Sequence, residues 1–87
     1  MTPVQLTLIG KPGCHLCDEA RDVVTSVVES LAPEVTVAVD ELSILDDEEL
    51  NMKHWDEIPV VTINGAVHNI WRIDPVRLKT AILEIRE

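Results

Sequence analysis

The hydrophobic period changes twice within the first forty residues, and this limits the possible folds more than any other feature of the chain. Val4, Leu6, Leu8 and Ile9 form a short apolar run that stops at Gly10, the pattern of a buried strand. Lys11-Pro12-Gly13 is a turn. After it, Leu16, Ala20, Val23, Val24, Val27, Val28 and Leu31 recur at three- and four-residue spacing, which is one face of a helix. Pro33 marks its end, and Val35, Val37 and Val39 then alternate with Thr36 and Ala38 as a second strand. A helical crossover between two apolar strands is a βαβ unit with parallel strands, almost always right-handed.

The second half is built differently. Asp40 to Trp55 is acidic, with Leu45, Leu50 and Met52 as apolar points. It predicts a short helix capped by Ser43 or Asp46, with Asp46-Asp47-Glu48-Glu49 near its N-terminus. Ile58 to Ile63 and Ala66 to Ile70 flank Asn64-Gly65, the strongest short hairpin signal there is. Pro59 sits where a strand begins, one of the few places a strand accepts it. Asp74-Pro75 reads as an N-cap followed by proline at the first helical position, and Val76, Leu78, Ile82 and Ile85 predict the buried stripe of a last helix. The expected fold is α/β, in the order β-α-β-α-β-β-α. It is a single domain over 1–87, with a four-stranded mixed sheet flanked by three helices.

Charge removes several function classes. Seven Lys and Arg stand against sixteen Asp and Glu, a formal net charge of −9. No basic patch exists for nucleic acid. The acidic excess is a solvated surface, or it selects a basic partner. No stretch is long enough to span a membrane, and no basic n-region precedes the first strand. The expected location is therefore cytoplasmic, where two cysteines three positions apart are more often redox-active or metal-binding than a structural staple.

Those cysteines are Cys14 and Cys17, at the turn-to-helix junction. Two residues three apart on a helix lie on one side, a turn from each other. At a helix N-terminus the first sulfur lies near unpaired backbone N–H groups and the positive end of the dipole, which favour a thiolate. Cys-x-x-Cys sites can bring the first thiol to roughly 3.5–7.5, against about 8.5 for a free one. Cys14 is thus the expected nucleophile, and Cys17, one turn inside, the residue that closes the disulfide. His15, if protonated, would favour the thiolate. Lys11 in the preceding loop could do the same, or hold an anionic thiol substrate. Asp18 and Glu19 complement the helix dipole and oppose a nearby thiolate, two effects of opposite sign on Cys14.

Across Lys11-Pro12-Gly13-Cys14-His15-Leu16-Cys17-Asp18 and Ile58-Pro59-Val60, the chain resembles the glutaredoxin-like branch of the thioredoxin superfamily, above all its short bacterial members with Cys-His-Leu-Cys. The resemblance spans nearly the whole chain. It implies a thioredoxin-like fold and a dithiol oxidoreductase acting on protein or glutathione mixed disulfides. It also implies a cis peptide at Pro59 beside the cysteines, with the Ile58 backbone offered to an extended substrate or to glutathione. No tightly bound cofactor is implied; the electron donor would be glutathione or a reductase. The chain would act as a monomer. It departs from the family at Asn69-Ile70-Trp71-Arg72-Ile73-Asp74, where a Gly-Gly-Asp signature is usual.

Two other readings compete. A zinc or shared iron–sulfur site would draw on Cys14, Cys17, His15, His54 and His68, but only one pair has ligand spacing. A non-catalytic partner-binding or redox-sensing module would use Trp55 and Trp71 as an exposed surface. Packing at the core edge is the commoner fate of tryptophan. His54 and His68 read as ordinary surface or hairpin residues. With three glycines and acidic clusters that look like helix starts, phosphate-loop and paired-carboxylate chemistry have no support.

Overall fold

The structure, a computed structural model, describes residues 3–85. The elements are β1 (Val4–Gly10), α1 (His15–Leu31), β2 (Val37–Ser43), α2 (Glu48–His54), β3 (Val60–Ile63), β4 (Ala66–Ile70) and α3 (Pro75–Ile85). Their order is the one the periodicities predict. The strands form one mixed sheet in the order β2-β1-β3-β4. β1 runs parallel to β2 and antiparallel to β3, and β3 to β4 is the antiparallel hairpin.

The alternation of β1 divides the molecule into two faces. Val4, Leu6 and Leu8 point to the side covered by α1 and α3, where they pack with Ala20, Val24, Val27, Leu31, Val61, Ile63, Leu78 and Ile82. Ile9 points to the other side and packs with Ile44 and Val60, joined by Leu50 of α2. Leu6, Leu78 and Ile82 are wholly buried, each contributing about 1.5–3 kcal/mol relative to an exposed side chain.

Several boundaries differ from expectation for local reasons. The second strand is Val37–Ser43 rather than Val35–Val39. Val35 is buried before the strand starts, and pairing runs from Val4↔Val37 to Gly10↔Ser43. As an edge strand β2 needs no apolar alternation, so Asp40 and Glu41 fit within it. Asp47 caps α2, accepting from the Glu49 and Leu50 N–H groups. Ser43 and Asp46 are instead held in the preceding turn, where Ser43 Oγ accepts from Leu45 N–H and Asp46 N–H donates to the Ser43 carbonyl. Leu45 and Met52 are exposed, while Ile44 supplies the buried contact. Asp74 caps α3 as expected, accepting from the N–H groups of Val76 and Arg77. Of the predicted stripe on α3, Leu78 and Ile82 are buried but Val76 and Ile85 are exposed. Val76 lies two positions from Leu78, on the opposite side of the helix.

The hairpin turn has φ 50° at Asn64 and 87° at Gly65, the two positive values a type I′ turn requires. Beyond it the register shifts: Thr62 faces Val67 and Val61 faces Asn69, which leaves His68 as the extra residue of a bulge.

Candidate redox site

Cys14 is the N-cap of α1. Its backbone is extended (φ −98°, ψ 113°), and its Sγ accepts from the Cys17 N–H at 3.2 Å. The sulfur thus occupies the place that a serine or aspartate oxygen takes in an ordinary cap. Cys14 and Cys17 are joined as a disulfide, with Cα atoms 5.2 Å apart, a usual span for a bridged pair. The two cysteines differ in access. Cys14 is half-buried, whereas Cys17 is 2% exposed.

What covers Cys17 is the end of the first strand. A Cβ added to Gly10 would meet Cys17 Sγ at 2.8 Å and Cys17 Cβ at 3.1 Å. Only a residue without a side chain lets β1 approach this closely. The antiparallel register pairs Ile9 with Val60, so one step further sets Pro59 across from Gly10. Pro59 is fully buried and joined to Ile58 by a cis peptide, as is Pro33 to Ala32. The Pro59 carbonyl accepts from Trp71 N–H at 2.8 Å. Ile58 is half-buried, and its backbone N–H and carbonyl have no hydrogen-bond partner among the described residues.

The polar residues singled out in the sequence are more scattered. His15 is 91% exposed and stands in solvent with its Nε2 4.0 Å from Glu19. Lys11 is exposed in the turn before Cys14. It lines a hollow of about 300 Å³ with Gly10, Pro12, Arg21, Glu41, Leu42, Ser43 and Asp46. Within that hollow Arg21 bridges α1 to β2, with Nε 2.8 Å from Glu41 and Nη1 3.0 Å from Asp18. The hydrogen bond from Arg21 holds the Glu41 carboxyl below its usual range.

The sequence marks Gly10 only as the end of a strand, Trp71 only as part of a rival partner-binding surface and Arg72 only as part of a departure from the family; the structure sets all three against α1. Trp71 and Arg72 border a groove of about 150 Å³ next to Leu16, the residue before Cys17. The core-edge expectation for the tryptophans is overturned: Trp55 and Trp71 are 64% and 54% exposed. His54, read as an ordinary residue, is buried, with Nδ1 3.3 Å from Glu57. Among the described residues, no group of three or more His, Cys, Asp or Glu is placed to hold a metal. No helix there is long and apolar enough to cross a membrane.

Comparison with known proteins places this geometry. The profile of the glutaredoxin-like domain (DUF836) matches residues 5–83. An uncharacterized protein of Mycobacterium tuberculosis is 26% identical over 83 residues, covering 94% of this chain and 86% of that one. Among solved structures, the structural-genomics target XcR50 from X. campestris is 26% identical with a TM-score of 0.71, covering 91% of this chain and 96% of that one. Chloroplastic thioredoxin z superposes with a TM-score of 0.76 over 97% of this chain and 79% of its own, at 13% identity. The fold is the thioredoxin fold that the family resemblance implied, with the element order that the periodicities predicted.

Proposed function

Because this chain belongs to the glutaredoxin-like domain family (DUF836), we propose that it is a thiol–disulfide oxidoreductase that reduces protein or glutathione mixed disulfides with Cys14 and Cys17. The observation that carries this reading is the asymmetry of the pair: a half-buried cysteine whose sulfur caps a helix, and a covered one bonded to it. In the dithiol form the Cys17 N–H and the other free donors of the first turn favour a thiolate at Cys14. That thiolate attacks one sulfur of the substrate disulfide. A new S–S bond forms, the old one breaks, and the first substrate thiol leaves with a proton. Cys17 then loses its proton and attacks Cys14 Sγ, which releases the second thiol and closes the Cys14–Cys17 disulfide. Two electrons have passed to the substrate, and a reductant must return two to the protein.

The remaining residues take supporting roles. The free backbone groups of Ile58, beside buried Pro59, are suited to pair with an extended substrate. Lys11 offers a cation for an anionic thiol, and His15 carries its imidazole at the solvent rim of the same turn. No tightly bound cofactor is required. The electron donor is glutathione or a reductase, the working compartment is the cytoplasm, and the working unit is a monomer. Exposure of both tryptophans favours a second reading, a partner-binding module in which the cysteines sense oxidation.

Reductant comparison separates these readings. The protein is assayed on insulin and on a glutathione mixed disulfide, once with glutathione and its reductase and once with thioredoxin reductase. Turnover with either donor is the expected result and identifies the donor. No turnover with either, from a protein whose cysteines are verifiably reduced, favours the module.

A further inference from the structure

Trp71 combines a constrained backbone with a free side chain. Its φ is 65°, a region that a bulky residue occupies only where its surroundings hold it. Two hydrogen bonds do so: its N–H donates to the Pro59 carbonyl at 2.8 Å, and its indole Nε1–H to the Asp56 carbonyl at 3.0 Å. Both acceptors flank Ile58. Yet the residue remains 54% exposed. Trp71 is thereby a fixed wall of a groove that it shares with Leu16, the residue between the two cysteines, and with Ala20, Val23 and Ile73. Glu19 and Arg72 stand at its edges. An aromatic plate already locked in place loses little further freedom on binding.

Resting on the oxidoreductase reading above, we propose that this groove is a specificity subsite. It takes one large apolar side chain next to the cysteine of a disulfide-bonded, basic polypeptide, and Trp71 sets that preference. A space of about 150 Å³ holds one such side chain. Charge argues for a polypeptide over glutathione. The chain carries −9, which repels the net-negative tripeptide and draws in a basic partner. Glutathione also has no apolar side chain to place against Leu16 and Val23.

The test uses reduced full-length protein and synthetic peptides whose single cysteine is held as a mixed disulfide with thionitrobenzoate, so that reduction releases a chromophore. The peptides are Lys-flanked and differ only in one residue beside the cysteine, Leu or Ser, on each side in turn. The expected second-order rate constant for chromophore release in a single turnover is about tenfold higher for Leu on one side. Trp71→Gly, which suits the positive φ, brings the ratio to within about twofold, and Trp71→Phe keeps most of it. Replacing the flanking Lys with Glu slows reduction at low salt, and added salt shrinks that difference. Equal rates for Leu and Ser peptides on both sides, or an unchanged ratio in a folded Trp71→Gly variant, overturn the subsite and leave the oxidoreductase reading standing. No chromophore release above the uncatalysed rate from any peptide overturns both.

Discussion

At Gly10 the space left for Cys17 is smaller than a methyl group, because a Cβ there would lie 2.8 Å from Sγ. Gly10→Ala must therefore displace either the end of β1 or the first turn of α1. Overpacking of this kind costs about 1–3 kcal/mol, and denaturant unfolding of the oxidised protein is expected to show it; an unchanged midpoint would mean that the close approach is not maintained. His68 offers a pH test. Its Nε2 is buried without a partner among the described residues, and burial, followed by the positive charge of Arg77, lowers its pKa from the ordinary 6.5. The folded protein thus resists a proton that the unfolded chain accepts. This contribution to stability is fully present above pH 6.5 and is lost as pH falls through the folded pKa. Unfolding midpoints of the protein and of His68→Leu, compared between pH 8 and pH 5, are expected to shift in favour of the variant on acidification. A pH-independent difference would contradict this. Among single residues, spacing marks Cys14 and Cys17, which meet as a disulfide, and the family resemblance marks Pro59, which is buried on a cis peptide. The sequence marks Trp71 only as part of a rival partner-binding surface and not its held backbone, since a positive φ at tryptophan carries no compositional signal and is held by hydrogen bonds to Asp56 and Pro59, more than ten residues away.

Whole elements were legible where a local signal matched the tertiary role. The α1 stripe, the Asn64-Gly65 turn and the Asp74-Pro75 start each carry their own chemistry, and each is found where that chemistry puts it. β2 was misplaced because a strand at the sheet edge takes its limits from backbone pairing with β1, not from side-chain alternation. The cap of α2 was misplaced because three acidic or hydroxyl residues compete within five positions, and turn hydrogen bonds hold Ser43 and Asp46 elsewhere. Asp47→Ala and Asp74→Ala each remove an acceptor used by two N–H groups, at an expected cost of about 1 kcal/mol apiece. Thermal unfolding of the single variants checks this. Ser43→Ala should cost less than Asp47→Ala, and the reverse order would restore Ser43 as the cap.

At the scale of the molecule, one arrangement brings the site together. The parallel β1–β2 pair with its crossover helix sets Cys14 and Cys17 at the carboxyl end of β1. The antiparallel return through β3 then sets Pro59 across from that same end. Periodicity predicted both halves, and their meeting at Gly10 follows from the strand order β2-β1-β3-β4, which sequence pattern alone leaves open. The account stands on Cys14 as the accessible nucleophile and Cys17 as the covered resolving thiol, and trapping is the most direct test. Reduced Cys17→Ser protein, treated with a peptide disulfide and examined by intact mass, is expected to hold one peptide on Cys14 that a dithiol reductant removes. Reduced Cys14→Ser protein is expected to hold almost none. Equal or greater capture by Cys17 in the Cys14→Ser variant would contradict the account.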